Sequence, residues 1–433
     1  MRLRVCGGKD AASGHRHALL DLLTSLLPDL PAPPRDGRRK WDPVSVLAAG
    51  VLMVLDEARS LTVAFERVLE LLDRERLGPK VGRTYQGLVK AARRIGPREA
   101  GKVRLAMQRA VRAVAGADWT VEGWVPLAAD GSNFDCPRTA ANVARLGRNG
   151  DARNGPPQQG VLALWHVGAQ LPWASRVAPS RVPERTRLRR LLGQLPERTL
   201  LVMDAGFAGY GMLRHLHRRG IAFLVRGGGN VRLLERLGWR VRESRDTVYL
   251  WPAAHRDRAP LVLRRIVVCG KHGLMCLLTN VLNPSRLSRR AARRLYRMRW
   301  GVETMYRGLK QTMARRKMRA ASPACARLEL EATLLASALL GLMSAQALRS
   351  RRMRPSMRSV AAGLDAVRWA MRHRPDLRTL RRRLATPKDT RRRRGRRHNP
   401  DWPHKKNDPR PGMPRTRPAT PKERRAAAAI APD

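Results

Sequence analysis

The chain has 433 residues, with 88 lysines and arginines against 34 aspartates and glutamates, so its net charge is +54. A hydrophobic content of 43% is enough for a packed core and excludes disorder along the whole chain. A surface this positive attracts polyanions, of which nucleic acids are the usual ones. GC-rich coding explains the preference for arginine over lysine, but not the small number of acids. The length predicts roughly two to three domains.

The five cysteines are scattered and form no C-x-x-C pair, which argues against a disulfide framework and a standard zinc site. Cys269, His272 and Cys276 lie close together in sequence, but a fourth ligand is missing, so we expect no metal site there. The first residues show no apolar leader, and the most apolar stretch, 332–345, is shorter than a membrane span of about 20 residues. We therefore expect a cytoplasmic, nucleoid-associated protein with no membrane partner.

Residues 1–116 predict a helical N-terminal domain. Apolar residues recur at spacings of three and four in the segments 18–27, 44–55, 61–72 and 104–114. Basic residues gather at 35–40 and 90–98. Such a domain is typical of DNA binding, which we favour, although a helical cap or a dimerisation domain would show the same pattern.

From residue 117 onward the pattern changes to alternating strands and helices, which predicts an α/β sheet within a domain at 117–348. The strand-like apolar runs are 125–130, 160–167, 199–204 and 221–226. The polar, glycine-rich segment 142–159 predicts a mobile loop. Further strand-like runs at 239–249 and 262–279 predict a β-rich insertion at about 227–285.

The C-terminal third begins with a long helix that we expect to start after Ser288, a suitable N-cap, and to run past Lys310. Another helix is expected at 332–348, and shorter C-terminal helices at 349–385. Arginine, proline and alanine dominate residues 386–433, which predicts a basic disordered tail that binds polyanions without sequence choice.

The helix after Ser288 carries a stripe of polar and aromatic residues. Tyr296, Arg299, Glu303, Tyr306 and Lys310 follow one another at steps of three, four, three and four, which places them along one helix face. A carboxylate can hold a divalent cation, while arginine and lysine can hold phosphate oxygens. A solvated face with ordinary salt bridges is the alternative.

Two aspartates, Asp130 and Asp204, each end an apolar strand-like run. An acid at the mouth of a buried strand is costly unless it binds a cation or accepts hydrogen bonds. Together with one acid from a helix, they would form an oxygen-rich site for Mg²⁺ or Mn²⁺. Taken singly, an aspartate at a strand end is more often a turn or cap residue.

These residues resemble a family. The spacing Y-x2-R-x3-E-x6-K, met by Tyr296, Arg299, Glu303 and Lys310, is similar to the signature of the bacterial transposases of the insertion sequence four family. Asp130 in LAADGS and Asp204 in VMDAGF resemble that family's first and second aspartates. The segment IAFLVR, which ends at Arg226, resembles the sequence that follows the second aspartate in that family. The resemblance covers roughly residues 125–345.

The resemblance implies a ribonuclease-H-like DDE catalytic core with a β-rich insertion. Asp130, Asp204 and Glu303 would then be catalytic and would hold two Mg²⁺ or Mn²⁺ ions. The residues implied to contact DNA are Tyr296, Arg299, Lys310, Trp300 and Arg226. The implied activity is cleavage at the ends of an insertion sequence and strand transfer into target DNA, usually by a homodimer that pairs two ends.

The chain departs from the family pattern at Ala205, where many members have arginine, and in its arginine-rich tail. Trp300 either stacks on a base or packs against protein, and the sequence does not decide between these roles. Trp165 and His166 are interpreted as structural. Two alternatives to a transposase stay open: a decayed, non-catalytic DNA-binding protein, and a nuclease on the same fold that cuts DNA without joining it.

Overall fold

The computed structural model describes residues 17–28, 30, 41–74, 82–147, 155–270, 273–389 and 412–431. Two compact units divide the chain: residues 1–110 with 331–388, and residues 111–330 with 389–433. The helices are α1 (Ala18–Leu26), α2 (Pro43–Leu55), α3 (Leu61–Arg74), α4 (Tyr85–Ala92), α5 (Pro97–Ala115), α6 (Ala140–Leu146), α7 (Glu184–Arg189), α8 (Tyr210–Arg218), α9 (Arg289–Met298), α10 (Trp300–Arg307), α11 (Pro323–Ser350), α12 (Val360–His373), α13 (Leu377–Leu384) and α14 (Pro421–Ala428). The strands are β1 (Val125–Asp135), β2 (Gln158–His166), β3 (Leu171–Pro179), β4 (Thr199–Met203), β5 (Ala222–Gly227), β6 (Arg232–Glu235), β7 (Thr247–Leu250), β8 (Leu261–Gly270), β9 (Gly273–Thr279) and β10 (Arg415–Pro418).

The first unit is helical, and α1, α2, α3 and α5 lie where the apolar spacing predicts helices. The start of α2 shows the local cause, because Asp42 accepts hydrogen bonds from the backbone N–H groups of Val44 and Ser45 and Pro43 occupies the first turn. The sequence patterns predict the N-terminal domain and the helices at 349–385 as separate parts of the protein. In the structure α1 and α2 pack against α12, and α1 also packs against α13, because each helix has an apolar face to bury.

The most apolar helix is α11, with 28 residues. Among the described helices it alone has the length and composition to cross a membrane, but 61% of its most apolar window is buried inside the protein. A core helix of a soluble protein has the same properties, so the helix is only weak evidence for a membrane span.

The second unit is built on a ten-stranded sheet with the order β10-β6-β7-β8-β9-β5-β4-β1-β2-β3. Strands β1, β4 and β5 are parallel neighbours, whereas β2 and β3 continue the sheet from β1 in antiparallel fashion. On the other side, β9 is antiparallel to β5 and leads to β8, β7 and β6. The central strand β4 is buried along its whole length, as expected for a parallel strand in the middle of a sheet.

The position of Asp130 differs from the prediction that it ends a strand. β1 continues for five residues beyond Asp130, to Asp135, because β2 pairs with it from Leu127 through Asp135. On the other side of β1, the register with β4 stops where Ala129 faces Met203. Asp130 therefore lies in the middle of a strand, at the level where the neighbouring parallel strand ends.

The C-terminal segment is ordered where it is described. The prediction of a disordered tail at 386–433 is wrong for residues 412–431, and residues 390–411 lie outside the described part of the chain. β10 adds to the edge of the sheet as a parallel partner of β6. A small buried cluster joins this segment to the rest of the sheet. Its residues are Leu234, Leu237, Tyr249, Trp251, Ala419 and Ala427. Apolar partners far away in sequence therefore hold a segment whose own composition predicts disorder.

The hydrogen bonds of Glu423 stabilise this segment. Its side chain forms a capping box with Thr420 at the start of α14 and accepts two hydrogen bonds from Arg417, at 2.8 and 2.6 Å. Arg256 donates a third hydrogen bond to the Glu423 carboxylate, at 2.6 Å. The hydrogen bonds from Arg417 lower the pKa of Glu423 to about 2.

Replacing Glu423 with alanine should lower the free energy of unfolding by about 1–2 kcal/mol at neutral pH, because the cap is lost and Arg256 loses its carboxylate partner. The pKa of Glu423 in the folded protein lies below its ordinary value of 4.5, so this contribution is present above pH 4.5 and lost as the pH falls towards 2. Urea denaturation at several pH values measures both effects. The exposed Glu197→Ala variant is the control, and an equal loss in both variants would contradict the role of Glu423.

Candidate active site

Asp130 and Asp204 are neighbours across the parallel pair β1 and β4. Since Ala129 faces Met203 in the register, the next residue on each chain is an aspartate. Adjacent strands lie about 4.8 Å apart, so the two backbones are this close at the paired residues directly before the acids. Asp204 leaves the sheet in a 3₁₀ turn over Ala205–Phe207, and its carboxylate accepts a hydrogen bond of 2.9 Å from the Gly206 N–H.

A hydrogen bond to the backbone of Asp130 brings Glu303 to the two aspartates. The hydroxyl of Tyr306, on α10, donates to the carbonyl oxygen of Asp130 at 3.0 Å. One turn later, the Lys310 ammonium donates to the Ser132 hydroxyl at 2.8 Å. These two contacts fix α10 and the π turn Gly308–Thr312 along β1, and Glu303 lies one turn before Tyr306 on the same helix face.

The helix that carries these residues begins as the sequence predicts but does not run unbroken. Ser288 caps α9, because its side chain accepts from the Ala291 N–H. A break at Arg299 separates α9 from α10. There the buried Arg299 guanidinium donates to the Glu303 carboxylate at 2.7 Å and lies 5.4 Å from the ring centroid of Tyr296. Tyr296, Arg299 and Glu303 thus form one connected group.

Asp130 has the most perturbed carboxyl of the site. Burial raises its pKa, Arg299 opposes that shift, and the charges of Asp204 and Glu303 raise it further, to about 7. Asp204 and Glu303 therefore lie close enough for their charges to act on the Asp130 carboxyl. At neutral pH their negative charge is only partly balanced by Arg299, and a divalent cation would offset the remainder.

The donor set fits a hard cation in its chemistry, since all three predicted ligands are carboxylates. Two of them already have protein partners, Glu303 through Arg299 and Asp204 through Gly206. Within the described residues, no three His, Cys, Asp or Glu side chains are grouped closely enough to hold an ion. The structure thus brings the three predicted ligands into one region, where Arg299 binds one of the two carboxylate oxygens of Glu303.

Two residues of α7 belong to this region and were missed by the sequence patterns. The Glu184 carboxylate lies against Gly131, so that a side chain at the residue after Asp130 would collide with it. Burial raises the pKa of Glu184, and the charge of Asp204 adds to that shift. Arg185 donates two hydrogen bonds, at 3.0 and 2.6 Å, to the Gly206 carbonyl. Adjacent residues of one short helix therefore contact the segments that follow both aspartates.

The sequence carries only a faint signal for this helix. Glu184 is the only acid in the basic segment 181–190, and neither it nor Arg185 belongs to a periodic pattern or a motif. Their role arises from long-range contacts, which local spacing does not encode.

Arg226 and Arg299 offer unused donors. The Nε of each guanidinium is buried and donates to no hydrogen-bond acceptor among the described residues. Burial raises the pKa of Tyr296, whereas the charges of both arginines lower it. Both guanidinium groups therefore face the same region as Tyr296. Buried polar atoms are nearly always hydrogen-bonded, but Arg187, Arg256 and Arg264 share this feature, so it does not by itself mark a binding site.

The remaining singled-out residues lie apart from the acids or at the surface. Trp300 begins α10 and is 45% exposed, and its stacking on a base stays a prediction. His166 stacks on Trp119 with ring centroids 4.6 Å apart, and burial lowers its pKa to about 4, which supports a structural role. Cys276 is buried in β9 and Cys269 is exposed, whereas His272 lies outside the described residues.

Three comparisons relate the chain to known proteins. Residues 125–339, which include all three acids, match the family model described as a transposase DDE domain. The transposase InsG for insertion sequence element IS4 from Escherichia coli (strain K12) is 28% identical over 229 residues, covering 49% of this chain and 51% of that protein. The chain thus spans about half the length of this curated relative. A cryo-EM structure of the piggyBac transposase synaptic complex with hairpin DNA aligns over 86% of this chain and 79% of that chain, with 12% identity and a TM-score of 0.39.

The raised pKa of Asp130 predicts a pH-dependent stability in EDTA. Its carboxyl has an ordinary pKa of 3.8 and a pKa of about 7 in the folded protein, so the folded state holds a proton that the unfolded state has released between these values. The free energy of unfolding should therefore fall as the pH rises through this window, by about 1–3 kcal/mol relative to Asp130→Asn. Urea denaturation from pH 4 to 8 measures the difference. An unchanged difference across the window, or the same slope in the exposed Asp246→Asn variant, would contradict the prediction.

Proposed function

We propose that this chain, which belongs to the IS4-type DDE transposases, cuts DNA at the ends of an insertion sequence and joins those ends to target DNA. The observation that carries the proposal is the convergence of Asp130 and Asp204, on adjacent parallel strands, with Glu303 on the helix that Tyr306 holds against them. An acid trio in one poorly hydrated region, beside buried arginines, suits phosphoryl transfer on a polyanion.

The proposed catalytic core is ribonuclease-H-like. Strands β3, β2 and β1 are antiparallel neighbours, and β4 and β5 follow in parallel on the other side of β1. The acids lie at the carboxyl end of β4 and at the same level of β1. The strands between residues 227 and 285 extend the sheet as the proposed insertion, and the helices of residues 1–116 form the proposed N-terminal domain, with DNA binding as their role.

The metal-binding residues would be Asp130, Asp204 and Glu303, with Mg²⁺ or Mn²⁺ as the ion and two ions as the expected number. When bound, such ions activate a water or a 3′ hydroxyl and stabilise the leaving oxygen of an in-line displacement at phosphorus. The structure suggests how the chain's own residues assist. Arg299 neutralises Glu303 and presents a free Nε, so it can turn from the carboxylate to a phosphate.

The remaining signature residues would position the DNA. Lys310, held on the Ser132 hydroxyl, supplies a fixed positive charge beside β1. Arg226 supplies a second buried guanidinium near Tyr296. The proposed partners are the transposon ends and the target DNA, and pairing two ends calls for a homodimer. The proposed location is the cytoplasm, on the nucleoid.

Each of Asp130→Ala, Asp204→Ala and Glu303→Ala should abolish cleavage and change DNA affinity by less than about threefold, because phosphate contacts supply most of the affinity. The assay is cleavage of labelled DNA that carries the ends of the element, with Mg²⁺ and with EDTA. Glu197→Ala, at an exposed site, should cut like the wild type.

Wild-type cutting by any of the three variants would remove that residue from the site. A strand-transfer product separates the proposed transposase from a nuclease on the same fold. Tight binding without cutting, with either Mg²⁺ or Mn²⁺ and a folded protein, would identify a decayed copy that only binds DNA.

Arg185→Ala should lower the cleavage rate by about tenfold or more and leave DNA affinity unchanged, because the turn that positions Asp204 loses both of its hydrogen bonds to Gly206. Arg185→Lys should restore part of the rate, since lysine can still donate to the carbonyl. Arg189→Ala, an exposed arginine on the same helix, is the matched control. Equal rates for Arg185→Ala and Arg189→Ala would contradict the role of Arg185.

A further inference from the structure

The exposed face of α9 carries an unusual density of positive charge. Five of its ten residues are exposed arginines: Arg289, Arg290, Arg293, Arg294 and Arg297. The opposite face is buried and consists of small and apolar residues together with Tyr296. At about 100° per residue, the five arginines occupy an arc of roughly 140°. They therefore form one continuous face, defined here as the α9 arginine face.

None of these five arginines forms an ion pair or a side-chain hydrogen bond with another part of the described chain. Ordinary solvated helices interleave acids with bases at spacings of three and four, which lowers repulsion by a few tenths of a kcal/mol per pair. Here like charges occupy those spacings. Arg289 and Arg290 also lie in the first turn, where the helix dipole disfavours cations. Helix stability therefore gives no reason for this face.

The two contacts that anchor α9 leave the arginine face free. The Ser288 N–H and hydroxyl both bind the Glu122 carboxylate, at 2.8 and 2.6 Å. The buried Arg264 donates to the carbonyl of Leu287 at 2.6 Å. Both contacts hold the start of the helix, and Leu295 packs its apolar side into the core. The orientation of the face is thus set by the fold.

One edge of the arginine face adjoins the helix stripe that carries Tyr296 and Glu303. α9 packs against β4, the strand that ends immediately before Asp204, and continues through Arg299 into α10, which carries Glu303. Ten helical residues rise about 15 Å, which matches about four nucleotides of one strand at 3.4 Å per nucleotide. Charge, length and continuity with the acids all favour the same occupant, a DNA backbone.

We infer that the α9 arginine face binds the phosphates of the element-end DNA immediately beside the phosphate that is cut. This inference rests on the proposed function and adds a surface outside the signature residues. The DNA strand would lie along α9 and reach the acids at the break between α9 and α10. An acidic protein segment is the competing occupant, and the test separates the two.

The first unit offers a matched control. Arg351, Arg378, Arg381 and Arg382 line a groove of about 570 Å³, and they too lack an ion-pair partner within the described chain. A triple change in α13 removes the same charge as a triple change in α9. Any effect of net charge alone on DNA affinity would appear in both variants.

The experiment compares Arg290→Gln/Arg293→Gln/Arg297→Gln with Arg378→Gln/Arg381→Gln/Arg382→Gln in the full-length protein. Labelled duplex DNA with the element end is titrated at several salt concentrations, and a hydroxyl-radical footprint maps the protected backbone. The α9 variant should lower the slope of log affinity against log salt by about 2–3 and lose protection over about four nucleotides beside the cut. The α13 variant should keep that protection, and thermal melts should show both variants folded.

The inference is overturned if the α9 variant keeps the footprint beside the cut, or if the α13 variant loses the same protection. It is also overturned if wild-type protein protects no DNA at the element end. The footprint is repeated with Glu303→Ala, which should protect the DNA like the wild type. If the α9 variant alone loses protection and the wild type still cuts nothing, the surface is established while the proposed catalytic function fails.

Discussion

The hydrogen bond from the Tyr306 hydroxyl to the Asp130 carbonyl is the contact on which the site depends. It joins a helix to the middle of a strand that lies 176 residues away in sequence. Burial raises the pKa of Tyr306 well above its ordinary value, so the phenol stays a neutral donor. Loss of such a buried partner costs about 1–3 kcal/mol and would loosen the hold of α10 on the strand of Asp130. The Lys310 contact with Ser132 then sets the direction of the same segment.

In a chain with a net charge of +54, each of the few acids of this region has its own electrostatic environment. Glu303 is balanced by Arg299, and the backbone after Asp204 is held by Arg185. Burial, together with the charges of Asp204 and Glu303, raises the pKa of Asp130 to about 7. A buried carboxyl is costly to ionise, and the proposed binding of a cation would offset that cost.

The C-terminal segment shows how composition can mislead. Arginine, proline and alanine predict disorder because they supply little apolar surface of their own. The structure provides that surface from elsewhere, since Tyr249 and Trp251 of the second unit bury Ala419 and Ala427. Glu423 then balances the nearby arginines. A short strand followed by a capped helix can therefore be stable when residues far away in sequence supply the apolar surface that it packs against.

The sequence by itself determined the features that depend on local patterns: the helices in the segments 18–27, 44–55, 61–72 and 104–114, the cap at Ser288, and the stripe that contains Glu303. Those features repeat every three or four residues, so they are visible without a fold. Only the tertiary structure decided that Asp130 lies within a strand, that Glu184 and Arg185 join the aspartates, and that β10 closes the sheet edge. These features arise from contacts between residues far apart in the chain, which no local period records.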